Sequence, residues 1–213
     1  SQALVPDVEV GVFGGSFDPP HLGHLNVARD ALEFLGLDQV VFVPARRSPF
    51  KGEEATRTPA EYRASLCEAA VEREAGLAVW RGELDRPAPS FTVETLEALQ
   101  KPDRRLTLLL GEDTWAQFHR WHRPRRILEL SRVGVLSRAG YDGPAEPGGS
   151  GPWPCIRIPV RRIEISSTEI RKRVQDGRSV RFLVPESVRR IIEHQSLYGS
   201  EAGEVAGSAA RSS

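Results

Sequence analysis

The sequence predicts an α/β fold with a doubly wound parallel sheet, and two observations lead to this class. Short apolar runs rich in valine, such as residues 8–13 and 40–43, are typical of strands buried on both faces of a sheet. Between them, apolar residues recur at helical spacing from Leu25 to Leu35. A strand, a helix and a second strand imply a right-handed crossover, so these units predict parallel strands covered by helices.

Length and charge bound the domain organisation. The 213 residues predict one domain over residues 1–198, whose small C-terminal helical part covers about residues 166–198. Residues 199–213 are small, polar and without periodicity, so we expect a disordered tail there. Lys and Arg together number 29, as do Asp and Glu, and this balance argues against a general nucleic-acid-binding protein.

Cysteine use and hydropathy predict the compartment. Cys67 and Cys155 are far apart and match no metal or redox spacing, which favours reduced packing residues. The sequence shows no basic-then-apolar signal and no apolar run near the ~20 residues that cross a bilayer. We therefore expect a soluble cytoplasmic protein that binds neither membranes nor nucleic acid.

The most informative stretch is residues 8–24, where an apolar run breaks at two glycines before a helix begins. Gly14 and Gly15 allow a tight turn with exposed N–H groups, because a residue without a Cβ adopts positive φ freely. Together with Ser16 and Phe17 they form a candidate phosphate loop. A glycine pair after a strand is also common as a plain turn, and that alternative stays open for the pair taken alone.

The residues after this loop predict a helix start with an anion site. Asp18 followed by Pro19 is typical of an N-cap with proline at the first helical position. His21 and His24 are three residues apart, so both project from one face beside the positive end of the helix dipole. Each histidine taken singly is more often a surface residue, but the combination with the glycine loop favours function.

Residues 14–24, Gly-Gly-Ser-Phe-Asp-Pro-Pro-His-Leu-Gly-His, resemble the signature of the nucleotidylyltransferase superfamily, and most closely that of the nicotinate-mononucleotide adenylyltransferases. That resemblance implies a Rossmann-like form of the predicted sheet. Class I aminoacyl-tRNA synthetases carry a similar His-x-Gly-His. However, the sequence has no methionine and no Lys-Met-Ser-Lys-Ser-type loop, and it is short for a synthetase.

A second block, residues 165–171, reads Ile-Ser-Ser-Thr-Glu-Ile-Arg and resembles the Ile-Ser-Ser-Thr-x-Ile-Arg motif of the same superfamily. Ser166 and Glu169 satisfy a capping box, so an ordinary helix start is one interpretation. Three hydroxyls and Arg171 at the positive end of a helix dipole also form a suitable triphosphate cradle.

The resemblance implies an ATP site in which His21 and His24 are catalytic and hydrogen-bond the phosphates. Asp113 follows the strand at residues 106–110, where it is either the N-cap of a short helix or a ribose ligand; the resemblance favours ribose. Mg²⁺ would be carried on ATP, with no metal-ligating residues from the protein. The full predicted ATP-binding set is Gly14, Gly15, Ser16, Phe17, His21, His24, Gly111, Asp113, Ser166, Ser167, Thr168 and Arg171.

The resemblance also implies a mononucleotide site. Backbone N–H groups near Thr92 would hold the nicotinate carboxylate, while Ser90 or Thr92 is alternatively a plain helix cap. Two positions depart from the family pattern: Phe50 stands where the family usually has His, and Phe91 where it has Tyr. Within the predicted set, Trp121 would stack on the pyridine ring, and Lys51 and Arg138 would bind phosphate. That substrate-binding set is Lys51, Ser90, Thr92, Trp121, His122 and Arg138.

The predicted function is adenylyl transfer from ATP to nicotinate mononucleotide, which gives nicotinate adenine dinucleotide and pyrophosphate in NAD biosynthesis. Sister activities on nicotinamide mononucleotide or phosphopantetheine, or cytidylyl transfer, are the enzymatic alternatives. A non-catalytic nucleotide-binding regulator is the other, although it should have lost a histidine or the Ser-Ser-Thr block, and neither is lost. The sequence gives no basis for an oligomeric state.

Overall fold

The computed structural model describes residues 7–46, 58–86, 90–138 and 153–199, and of Arg138 it describes only the backbone. The predictions made for Phe50, Lys51 and the tail beyond Gly199 therefore lie outside the described residues. Within the described part, no helix is long and apolar enough to cross a membrane.

Strands and helices alternate along most of the chain, as the sequence predicts. The strands are β1 (Val8–Gly15), β2 (Gln39–Pro44), β3 (Leu77–Val79), β4 (Arg104–Gly111), β5 (Ser131–Arg138) and β6 (Ile156–Val160). The helices are α1 (Leu22–Leu35), α2 (Ala60–Val71), α3 (Thr92–Leu99), α4 (Glu112–Ala116), α5 (Pro124–Leu130), α6 (Ser167–Gln175) and α7 (Glu186–His194), with a 3-10 turn at Phe118–Arg120.

The described strands form one sheet in the order β3-β2-β1-β4-β5-β6, and every neighbouring pair is parallel. This confirms the Rossmann-like, doubly wound prediction. The strand order reverses between β1 and β4, which pair with Phe13 opposite Leu109. Open α/β sheets bind ligands beyond the carboxyl ends of the strands at such a switch point, so the topology places a crevice beside Gly14 and Gly111.

Two apolar layers hold helices on the two faces of the sheet. On one face Val10 and Val12 join the cluster that includes Trp115 of α4, while Phe13 joins the opposite cluster with Ile170 of α6. Successive residues of a strand point to opposite faces, so a continuous apolar run serves both layers at once.

The helix start predicted at Asp18 is wrong, and the N-cap interpretation of Asp113 is excluded. The N-cap of α1 is His21, not Asp18, and Asp18 and Pro19 lie in the loop, joined by a cis peptide bond. The Asp18 carboxylate contacts a different segment of the chain, because its Oδ1 accepts a hydrogen bond from the Tyr198 hydroxyl at 2.7 Å. Asp113 is likewise no N-cap: it lies inside α4, whose N-cap is Gly111.

Candidate active site

The loop between β1 and α1 folds over a buried phenylalanine. Phe17 is 2% exposed, and its ring packs against Phe13 and Phe42 at centroid distances of 5.6 and 5.2 Å. A Cβ at Gly15 would lie 2.9 Å from this ring, so only glycine fits there without displacement. Phe17 has φ +47°, a conformation that is costly for a bulky residue and persists only where the surroundings hold it.

His21 and His24 form a stacked pair at the start of α1, with ring centroids 3.7 Å apart. The backbone N–H of each residue donates to Nδ1 of the other, at 3.2 and 3.3 Å. Because both Nδ1 atoms accept, each ring carries its hydrogen on Nε2. A Cβ at Gly23 would lie 2.9 Å from the His21 ring, so this glycine permits the pairing. The capping that was predicted for Asp18 is thus performed by the histidines themselves.

Burial sets the charge of His21. The side chain is 6% exposed, and desolvation lowers its pKa to about 4. At neutral pH the imidazole is therefore uncharged. It can donate a hydrogen bond from Nε2 but cannot supply a proton as an imidazolium.

The first turn of α6 docks on the same loop. Ser167 Oγ donates to the Pro19 carbonyl at 2.8 Å, and Arg171 Nη1 donates to the Asp18 carbonyl at 2.8 Å. Ser166 is the N-cap, as predicted, and its Oγ accepts from the Glu169 N–H at 3.1 Å. Ser167 and Arg171 therefore have a structural role that the motif alone did not predict.

Two cavities meet at the loop. The smaller, about 500 Å³, is lined by all of the predicted ATP-binding residues except Gly14, including Asp113. The larger, about 860 Å³, is lined by Gly14 and by Ser90, Thr92, Trp121 and His122 of the predicted substrate set. Both volumes suit small-molecule ligands. The residues common to the two walls are Phe13, Gly15, Ser16, Phe17, His24, Gly111 and Thr114.

A buried carboxylate at the larger cavity was missed by sequence reasoning. Glu83 accepts hydrogen bonds from Ser90 Oγ at 3.1 Å and from Thr95 Oγ1 at 2.6 Å, and all three side chains are buried. Ser90 is therefore not a helix cap, and neither is Thr92, because the N-cap of α3 is Phe91. Nothing local distinguishes Glu83 from the other acidic residues of the chain, so only the tertiary structure reveals it.

Aromatic residues form another part of the larger cavity. The Trp121 ring is partly buried and packs 5.6 Å from Phe118, while the exposed His122 ring lies 4.4 Å from Phe91. Phe91, which departs from the family pattern, thus keeps an aromatic contact with its neighbour in the wall. Lys51 and the Arg138 side chain lie outside the described residues, and the backbone of Arg138 ends β5.

Sequence comparisons agree with this geometry. Residues 12–173 match the sequence model of the Cytidylyltransferase-like family. A probable nicotinate-nucleotide adenylyltransferase of Gemmatimonas aurantiaca is 42% identical over 197 residues, covering 90% of this chain and 92% of that protein. The chain belongs to this adenylyltransferase family. A probable nicotinate-nucleotide adenylyltransferase of Thermus thermophilus is also 42% identical, over 90% of this chain and its own full length.

Solved structures carry the same fold. A Plasmodium falciparum nicotinic acid mononucleotide adenylyltransferase complexed with NaAD superposes with a TM-score of 0.66 at 16% identity, over 89% of this chain and 97% of that one. The same enzyme complexed with APC gives a TM-score of 0.64 at 15% identity, over 89% and 96%. The sequence matches confirm the predicted resemblance to the nicotinate-nucleotide adenylyltransferase family, and the synthetase alternative is set aside.

Proposed function

We propose that this chain transfers the adenylyl group of ATP to nicotinate mononucleotide, forming nicotinate adenine dinucleotide and releasing pyrophosphate. One observation carries the proposal: the loop at Gly15–Phe17 and the His24 ring belong to the walls of both cavities. A reaction that joins two nucleotides needs two adjacent sites whose common wall stabilises the transferred phosphate. Family membership supports this choice of substrates.

ATP would occupy the smaller cavity. Its phosphates would lie at the Nε2–H groups of His21 and His24 and at the N-terminus of α6, where first-turn N–H groups and the helix dipole favour anions. Thr168 and Arg171 line this cavity, and Arg171 Nη2 lies 3.3 Å from Thr168 Oγ1. Asp113, at the carboxyl end of β4, would bind a ribose hydroxyl.

The chemical step requires no protein base. The 5′-phosphate of the mononucleotide, with a second pKa of about 6, is already mostly ionised at neutral pH. One of its oxygens attacks the α-phosphorus of ATP, the bond to the bridging oxygen breaks, and pyrophosphate leaves. Positioning and charge stabilisation therefore supply the catalysis. The lowered pKa of His21 suits this scheme, because an uncharged imidazole donates a hydrogen bond without transferring a proton.

Mg²⁺ would enter with the triphosphate rather than occupy a site built by side chains. In the described part of the chain, no group of three or more His, Cys, Asp or Glu side chains could hold a metal ion. Mg²⁺ commonly keeps several waters and binds substrate phosphates, where it neutralises charge. No residue of this chain is therefore assigned to it.

The mononucleotide would occupy the larger cavity, with its pyridine ring against Trp121 and its carboxylate near Thr92. Thr92 is the first residue of α3, so its N–H lies among the first-turn donors that have no intrahelical acceptor. The Glu83 carboxylate fixes Ser90 and Thr95 on either side of this helix start. It thereby holds the proposed carboxylate site in place.

The test is a pyrophosphate-release assay with ATP or CTP as the nucleotide donor and a panel of acceptors. With ATP, the purified chain should turn over nicotinate mononucleotide faster than nicotinamide mononucleotide or phosphopantetheine, and CTP should not replace ATP. Turnover only with phosphopantetheine or only with CTP would assign the chain to a sister activity. ATP binding by calorimetry without turnover on any acceptor would indicate a non-catalytic regulator.

A further inference from the structure

The most deeply buried charge in the phosphate-loop region is an arginine that the proposed reaction does not use. Arg63 of α2 is 1% exposed. Its Nε donates to the Thr58 carbonyl at 3.2 Å, Nη1 to the Ser16 carbonyl at 2.6 Å, and Nη2 to the Arg46 carbonyl at 3.1 Å. One guanidinium thus holds the phosphate loop, the chain after β2 and the approach to α2.

Burying the Arg63 guanidinium has a free-energy cost. Desolvation lowers the pKa of the Arg63 guanidinium, and the nearby Asp18 carboxylate raises it again as the main compensating charge. Guanidinium groups stay protonated in proteins, so this is a buried cation, and a buried ion loses its hydration. A neutral side chain would fill the same space without that loss. The fixed fork of donors is what arginine adds, because it reaches several carbonyls at once.

The contact with Ser16 determines where a loop N–H points. In a planar trans peptide the C=O and the following N–H point in opposite directions. Because the Ser16 carbonyl is turned toward Arg63, the Phe17 N–H points away from Arg63. Likewise the Gly15 carbonyl accepts from the Ala45 N–H at 2.9 Å, which turns the Ser16 N–H the other way. Ser16 and Phe17 line both cavities.

Two further peptides of the loop offer no donor. The Asp18 and Pro19 carbonyls are held by Arg171 and Ser167, but the peptides they belong to end in Pro19 and Pro20, which have no N–H. The Ser16 and Phe17 N–H groups remain, and each is oriented by the hydrogen bond that holds the carbonyl of the preceding residue. Phe17 also adopts a left-handed conformation in this loop. Such strained residues persist only where the surrounding structure holds them, and they cluster at functional sites.

We propose that Arg63 is a positioning residue for the transfer step: it holds the Ser16–Phe17 peptide so that the Phe17 N–H faces the phosphate being transferred. The inference rests on the proposed function. Arg63 touches no substrate, and it acts through the backbone of the loop. It therefore affects the stabilisation of charge on the phosphate more than the capture of the mononucleotide.

The test substitutes Arg63→Lys, which keeps the charge but lacks the fork that reaches three carbonyls. Arg104→Lys is the matched control, because Arg104 is partly buried and its Nη1 donates to the Leu99 carbonyl at 2.8 Å, at the amino end of β4. With whichever acceptor the wild type uses, kcat of Arg63→Lys should fall on the order of 100-fold, the loss seen when one donor that stabilises transition-state charge is removed. The KM for the acceptor should change little, and Arg104→Lys should keep wild-type kcat.

A second measurement separates this inference from the proposed function, because it needs no turnover. The affinity for AMP, whose phosphate is the group transferred, should weaken at least ~10-fold in Arg63→Lys and stay unchanged in Arg104→Lys when measured by calorimetry. Equal kcat and equal AMP affinity in the two variants, with a similar loss of Tm, would show that Arg63 is only structural. If Arg63→Lys does not fold, Arg63→Gln gives the same comparison without a buried charge.

Discussion

The two cavities differ in how their polar groups are held. In the smaller cavity His21 and His24 hold each other, and Ser167 and Arg171 are tied to loop carbonyls. In the larger cavity His122 and the neighbouring Arg120 and Arg123 are exposed, and the fixed polar group is the Glu83 network. The difference indicates a rigid side for charge stabilisation and a more adaptable side for recognition. Substitutions on the first side should lower kcat, and those on the second should raise KM.

The largest expected effect is at the paired histidines. His24→Ala removes a donor from the wall between the cavities, so kcat should fall on the order of 10²–10³-fold. The variant also loses the acceptor for the His21 N–H, so the free energy of unfolding should drop by about 1 kcal/mol. Steady-state kinetics and urea unfolding measure the two effects separately.

The control for His24→Ala lies in the larger cavity. His122→Ala removes an exposed imidazole, so it should raise the KM for the mononucleotide with little change in kcat. A near-normal kcat for His24→Ala, or a kcat loss in His122→Ala that equals it, would contradict the division between the two cavities.

The next prediction concerns the pH dependence of stability. His21 has a folded-state pKa of about 4 against 6.5 for the free side chain, so the unfolded chain binds the proton more readily. This contribution, about 3 kcal/mol in full, is present above pH 6.5 and is lost as the pH falls from 6.5 toward 4. His21→Asn keeps a good N-cap acceptor but does not titrate.

Urea unfolding of both proteins at about pH 7 and about pH 4.5 checks this prediction, with tryptophan fluorescence as the probe. The wild type should lose more stability than His21→Asn over this interval. Carboxylates titrate in both proteins, so their contribution cancels in the comparison. Parallel losses in the two proteins would show that His21 is protonated without penalty in the folded state.

The parts of this structure that the sequence predicts are those that depend on neighbouring residues. Buried parallel strands are short apolar runs, so the strand at residues 106–110 could be identified locally. Ser166 could be identified as an N-cap because its acceptor role involves Glu169, three residues away. The meeting of the two motifs at one crevice followed from the parallel topology, which brings strand ends together.

The errors and omissions have the opposite origin. Asp18 looked like an N-cap, but its partner is Tyr198, 180 residues away along the chain. Glu83 and Arg63 have no local signature, because their partners are Thr95 in one case and the backbone of Ser16 in the other. Long-range hydrogen bonds of this kind override local capping preferences, and a single sequence does not show them.

A smaller effect is expected at the aromatic wall of the larger cavity. Trp121→Ala should raise the KM for the pyridine nucleotide about 10–100-fold and leave the KM for ATP nearly unchanged, because stacking on a base contributes roughly 1–3 kcal/mol. Trp153→Ala is a matched control: its ring also lies 5.6 Å from Phe118, but Trp153 does not line this cavity. If Trp153→Ala raises the KM equally, the role of Trp121 is packing alone.

The smallest predicted effect concerns the choice between the acid and the amide mononucleotide, and it depends on the start of α3. Phe91 is the N-cap of this helix, and its own N–H donates to the Glu94 carboxylate at 3.2 Å. The next N–H groups, of Thr92 and Val93, lie in the first turn, where an anion is favoured. A carboxylate there accepts charge-assisted hydrogen bonds, which are roughly twice as strong as neutral ones.

An amide that turns its NH₂ toward these donors would leave polar groups unpaired, at a cost of about 1–3 kcal/mol, so kcat/KM should favour the acid by at least ~10-fold. A pair of variants at Thr92 makes the test more specific. Thr92→Pro deletes one N–H, and the helix tolerates proline at its first position because Phe91 already has the extended backbone that a residue before proline requires. Thr92→Val keeps that N–H and removes only the hydroxyl. The acid preference should shrink in Thr92→Pro and persist in Thr92→Val. Equal kcat/KM for acid and amide in the wild type would show that the substrate carboxylate does not bind at this helix start. That result would not contradict adenylyl transfer itself.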